Sequence, residues 1–129
     1  MSTRATYKFH STNRQQVTVY IHQDGYPEGA AQYIRNASEI ADQSKIKKIS
    51  AKNFIRHNED AMITDNHKVH GDTEYMYDFF SDGGIKCIRR HIDYDPQTEK
   101  LDVFFTNEFE GTIGEFMDKY FYIPQDKAI

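Results

Sequence analysis

The chain has 129 residues, with 16 Lys and Arg against 20 Asp and Glu, a single Cys, no Trp, 9 Tyr and 9 Phe. That length holds one ordinary domain, residues 1–129, and excludes a large cofactor-binding α/β fold. One cysteine excludes an internal disulfide framework or a site drawing two thiolates from one chain. The hydrophobic fraction of 38% is low, but large aromatic side chains can still build a compact core.

No apolar run approaches the roughly 20 residues that cross a bilayer. Residues Met1 to Thr6 carry no apolar stretch of the kind a signal peptide needs. A cytoplasmic protein with no membrane contact is the expectation. The net charge of −4 is unevenly spread: residues 1–64 carry 9 basic and 6 acidic side chains, a balance of +3, and residues 65–129 carry 7 and 14, a balance of −7.

Along the chain, Arg4 to Ser11 alternates, with Ala5, Tyr7 and Phe9 on one side and Thr6, Lys8 and His10 on the other, which predicts a half-buried strand. Polar Thr12–Gln15 turns the chain, and Val17, Val19 and Ile21 complete a hairpin. Asp24-Gly25-Tyr26-Pro27-Glu28-Gly29 then breaks the strand. Pro27 suits a first helical turn, where its missing N–H has no partner to lose. Glu28 places a negative charge at the favourable end of the dipole. Ala30, Tyr33, Ile34, Ala37, Ile40 and Ala41 share a face and predict a long helix over 27–43.

Ser50 is placed to cap a short helix through Phe54, Ile55 and Arg56, Met62-Ile63 is expected to pack back on the core, and His67 to Gly71 reads as a loop. Tyr75, Tyr77 and Phe79 form the inward set of a third strand. Ser81-Asp82-Gly83-Gly84 is a tight turn. The next strand, 85–94, has Ile88, Ile92 and Tyr94 on one face and Cys87, Arg89, His91 and Asp93 on the other. After Asp95–Thr98, Leu101, Val103 and Phe105 are the inward set of a fifth strand. Thr112-x-x-Glu115 is a capping box opening a last helix with Phe116, Tyr120 and Phe121 inward. The sum is an α+β domain: a mainly antiparallel sheet of about five strands, one long helix on a face, and one or two short helices.

Chemistry-bearing residues are few. His67-x-x-His70, with His57 upstream and Asp65 and Asp72 nearby, is a weak metal pattern, and solvated loop histidines are the preferred reading. Arg89-Arg90-His91 on a strand has two readings. One is a cross-strand ion pair to Asp78 or Asp102; the other is a phosphate contact for a nucleotide ligand, with Tyr75 or Phe105 stacking on it. Cys87 and His91, four residues apart on one strand face, stand about 13 Å apart and form no nucleophile–base pair. Lys47, Lys48 and Lys52 belong to an acid-free basic stretch from Lys45 to Arg56, either a solvated face or a contact for an acidic partner. No catalytic residue, metal ligand or cofactor is assigned.

The opening Ser2-Thr3-Arg4, the strand ending in His22, and the Asp24-Gly25-Tyr26-Pro27-Glu28-Gly29 junction together resemble a family of small uncharacterised proteins encoded mainly by bacteriophages, prophages and other mobile elements. The resemblance covers about the first 35 residues. It implies a mobile-element context and no catalytic residues. Within the motif, Asp24 is expected to accept the free N–H groups of the helix start, and His22, Asp24, Tyr26 and Glu28 form a candidate recognition site. The leading expectation is a non-enzymatic inhibitor of a host defence protein or ribonucleoprotein complex, of the anti-CRISPR kind. The alternatives are a binder sequestering a nucleotide-type signal and, third, a metal-dependent enzyme built on His57, His67 and His70. A homodimer through edge strands is a further expectation.

Overall fold

The computed structural model describes residues 3–40, 42, 45–66 and 72–121. In chain order the elements are β1 (Ala5–His10), β2 (Gln16–Ile21), α1 (Pro27–Ala37), α2 (Ala51–His57), β3 (Met62–Thr64), β4 (Tyr75–Phe79), β5 (Gly84–Asp95), β6 (Lys100–Thr112) and α3 (Ile113–Tyr120). The strands form one sheet in the order β3-β2-β1-β4-β5-β6. Every neighbouring pair is antiparallel except β1 and β4, which run parallel with Tyr7 opposite Tyr77. The α+β class is as expected; six strands replace five, and the sheet is mixed.

The sixth strand is β3, which adds to the outer edge of β2 through Val19↔Ile63. Met62 and Ile63, expected to pack on the core, lie exposed on this edge. The long helix is also shorter than 27–43. It stops at Ala37, because Ser38 takes an extended conformation and its hydroxyl accepts a hydrogen bond from the Ile40 N–H at 3.0 Å. A serine offering its own backbone this alternative competes with another helical turn. Ile40 is left exposed, and Ala41 lies outside the described residues.

Local chemistry explains the other boundaries. Pro27 opens α1 as predicted, with Tyr26 as an extended N-cap residue. Ser50 Oγ accepts from the Asn53 N–H at 3.1 Å and caps α2. Thr112 and Glu115 close a reciprocal capping box at the start of α3. In the β4–β5 turn only Gly83 needs a positive φ (95°), while Asp82 Oδ1 accepts from the Gly84 N–H at 2.9 Å.

The core lies between one face of the sheet and the three helices. The sheet contributes Tyr7, Phe9, Val19, Ile21, Tyr77, Phe79 and Ile85, and the helices bring Ile34, Phe54, Ile113, Phe116 and Met117. It is mostly aromatic. Tyr7 stacks on Tyr77 across the parallel pair with centroids 4.9 Å apart and planes at 5°, Phe9 stacks on Phe79 at 4.6 Å, and Phe54 closes on Tyr7 at 4.8 Å. Such pairs contribute about 0.5–1.5 kcal/mol each beyond burial. No helix among the described residues is long and apolar enough to cross a membrane.

Candidate functional site

β4 is five residues long, and it pairs with β5 only over Ile85–Arg89. Its neighbours are much longer, at 12 residues for β5 and 13 for β6. The distal halves, Arg90–Asp95 and Lys100–Phe105, therefore pair only with each other and leave the sheet as a two-stranded arm. The last tie at its root is the Arg90 N–H donating to the Glu74 carbonyl oxygen at 2.7 Å.

Register then assigns every side chain of the arm to a face. Opposite residues of an antiparallel pair point the same way. Arg90↔Phe105, Ile92↔Val103 and Tyr94↔Leu101 thus share one face, the side of the sheet away from the helices. The other parity, Arg89↔Thr106, His91↔Phe104, Asp93↔Asp102 and Asp95↔Lys100, points to the helix side. A register shift at Cys87/Ile88, two residues before the arm begins, places Glu108 as an extra residue of β6.

Here an expectation is overturned. Leu101, Val103 and Phe105 are not an inward set. With Ile92 and Tyr94 they form a contiguous apolar face, each residue between 48% and 67% exposed. The physical reason is layer position: the alternation is real, but its apolar parity faces the side that carries no helix. Five such side chains expose on the order of 500 Å² together, the size of the largest apolar patch on an ordinary monomer. A bare two-stranded ribbon is marginal alone in water, so this face is suited to a partner.

At the arm's root lies a polar notch of about 270 Å³ lined by Asp72, Glu74, Arg89, Arg90, His91, Ile92 and Asp93. Arg89 is committed within it, bonded to Glu74 at 3.1 Å and lying over the Tyr75 ring at 5.5 Å. A phosphate entering here would meet three carboxylates. Arg90 turns to the helix-free face, and neither Asp78 nor Asp102 pairs with it. Its Nε is buried and has no hydrogen-bond partner among the described residues. His91 stacks on Phe104 at 4.8 Å and bonds the Thr106 hydroxyl at 2.7 Å.

The Asp24–Gly29 motif is built as a packing knot. Asp24 takes a left-handed φ of 53°. The Gly25 N–H donates to the Thr3 carbonyl oxygen at 2.9 Å, and its own carbonyl oxygen accepts from the buried Tyr77 hydroxyl at 2.6 Å. A Cβ on Gly29 would collide with the Asp24 carbonyl oxygen. Asp24 does not cap α1, contrary to expectation; no side chain does. The Asp24 carboxylate accepts instead from the Tyr26 hydroxyl at 3.4 Å, and its charge is the main cause raising the Tyr26 phenol pKa. Asp24, Tyr26 and Glu28, with Gly29, Gln32 and Tyr33, line a shallow cavity of about 290 Å³. His22 is exposed and is not part of its lining.

Lys47, Lys48 and Lys52 are exposed around an apolar anchor, with Ile46 and Phe54 of the same stretch buried. Lys52 is on α2, which packs on α1 and β2, while Lys47 lies against the β4–β5 turn beside Asp82 and Gly83 and Lys48 lies beside His10 and Phe80, at the end of the sheet opposite the arm. Cys87 is buried, and desolvation first of all pushes its thiol up to about 12, leaving it without thiolate character. His57 ends α2 and is exposed; His67 and His70 lie outside the described residues.

The apolar residues of the arm are the functional candidates that sequence reasoning missed. A usable signal was present. The alternating segments around Asp95–Thr98 are longer than the strand before them, so their far ends could find no neighbour. No family model, curated protein or solved structure matches the chain.

Proposed function

We propose that this protein acts by binding another protein, without chemistry of its own, and that the β5–β6 arm is its docking element. The observation that carries this reading is the contiguous apolar face of Ile92, Tyr94, Leu101, Val103 and Phe105 on a ribbon that leaves the sheet. Aromatic and aliphatic anchors of this kind supply most of the energy of protein interfaces. The likeness of the first 35 residues to phage and prophage proteins supports the setting. In that setting the partner is a component of host defence in the bacterial cytoplasm, and binding inhibits it as an anti-CRISPR protein does.

The test uses hosts that each carry one defined defence system, challenged with phage while expressing the wild type or the Val103→Glu/Phe105→Glu variant. Wild-type protein is expected to restore plating and to co-purify with the tagged effector. The variant, folded by circular dichroism, loses effector affinity by about 100-fold or more, because two anchors become buried unpaired charges. Absence of protection against every system, or full binding by the variant, would overturn the reading.

A further inference from the structure

From the charge carried by the same arm, we infer that its partner presents an apolar cleft walled by lysine and arginine side chains; this rests on the arm being the docking element. Between His91 and Val103 stand four acids, Asp93, Asp95, Glu99 and Asp102, against the single Lys100, a local charge of −3. Among the described residues none of the four is ion-paired. Asp93 and Asp102 face each other directly across the two strands, an arrangement that opposes hairpin formation.

The rest of that face is satisfied within the chain: His91 has Thr106 and Phe104, and Arg89 has Glu74 and Tyr75. The exposed lysines of the basic stretch offer no relief, since Lys47 and Lys48 stand by the β4–β5 turn and the Phe79 end of β4, at the opposite end of β5 from the arm. The arm is therefore a thin ribbon with one apolar face and one anionic face. A partner covering both surrounds it, with an apolar floor under Leu101, Val103 and Phe105 and cationic walls about Asp93 and Asp102. Clefts of that composition are those that grip a nucleic-acid backbone, and the aspartates occupy the place of its phosphates.

The experiment follows amide shifts of the labelled full-length protein on titration with two synthetic strand peptides, one alternating leucine and lysine, the other leucine and glutamate. The leucine–lysine peptide is expected to shift residues 92–94 and 101–105, and the leucine–glutamate peptide to leave them unmoved. Asp93→Asn/Asp102→Asn weakens the first peptide about tenfold and flattens its salt dependence, while its own melting temperature rises because the repulsion is gone. Glu39→Gln/Glu59→Gln, remote from the arm, changes neither. Equal binding of both peptides, shifts centred elsewhere, or unchanged affinity in the aspartate variant would overturn the inference. If that happens while Val103→Glu/Phe105→Glu still abolishes protection, the arm remains the docking element and only the partner's charge is wrong.

Discussion

The two halves of the β5–β6 hairpin use the same alternation and meet opposite fates. In the half that joins the sheet, Ile85 and Cys87 point toward the helices and are buried; in the half that leaves it, Ile92, Tyr94, Leu101, Val103 and Phe105 point the other way and stand in water. Apolar parity changes sides between Cys87 and Ile88, where β6 carries its extra residue. One half is closed by what the chain itself folds over it. The other is a prepared surface with nothing of the described chain upon it. An apolar pattern thus records a demand for cover, and the cover can come from another molecule.

The largest expected effect breaks or upholds that contrast directly. Phe54 is fully buried against Tyr7, Phe9 and Phe79, and Phe54→Ala should cost about 3–5 kcal/mol in urea denaturation. Phe105→Ala removes a ring that is 57% exposed and should change stability by no more than about 0.5 kcal/mol. If the two variants lose comparable stability, the arm is covered in the free protein and the contrast fails.

Which parts were legible follows the same division. Start and stop signals of short range were readable: Pro27, the Ser50 cap and the Thr112–Glu115 box each depend on chemistry within one helical turn. The strand faces were readable too, because period two is a local property. Which layer a face meets is not local. It depends on β4 ending at Phe79 while β5 runs on to Asp95, and on β4 returning beside β1 in parallel from 65 residues away, counted from His10 to Tyr75. β3 was missed because three residues carry too little pattern. For the candidate site, the sequence points to Arg89, Arg90 and His91 as ligand groups; they stand at the root of a surface of which Leu101, Val103 and Phe105 read as an inward set.

A smaller effect sharpens the closed half. Two buried tyrosines stack on each other with unlike hydroxyls: Tyr77 donates to the Gly25 carbonyl oxygen at 2.6 Å, whereas the Tyr7 hydroxyl has no partner among the described residues. Burial raises both phenols well above 10, so neither escapes its cost by ionising near neutrality. Tyr77→Phe should lose about 1–2 kcal/mol, because the Gly25 carbonyl is left buried and unpaired. Tyr7→Phe should be neutral or gain up to about 1 kcal/mol, since it deletes an unsatisfied group. Chemical denaturation of the pair gives opposite signs if the core is closed as described. A loss in both would mean that Tyr7 has a partner after all.

The smallest effect lies where β6 ends and the helix layer begins. The Glu115 carboxylate accepts from the Thr112 N–H at 2.9 Å while Thr112 Oγ1 accepts from the Glu115 N–H at 3.1 Å, and the bond to the Thr112 backbone is the main cause holding Glu115 below its ordinary value of 4.5. A carboxyl whose folded pKa is depressed stabilises the fold above its unfolded pKa and ceases to do so as pH falls through the folded one. Glu115→Gln keeps an acceptor at the same place and removes only the charge. Wild type should therefore melt slightly higher than the variant near neutrality, and the difference should shrink below pH 4.5 and vanish once Glu115 is protonated in both states. The site is exposed, so added salt should also reduce the difference. The arm's charges act with the opposite sign: Asp93→Asn/Asp102→Asn removes the repulsion between two facing carboxylates, so it should raise the melting temperature where Glu115→Gln lowers it. Melting curves of wild type, Glu115→Gln and Asp93→Asn/Asp102→Asn near neutrality would show the two signs separately, and a common sign would mean that the arm and the sheet end do not differ as their charges require.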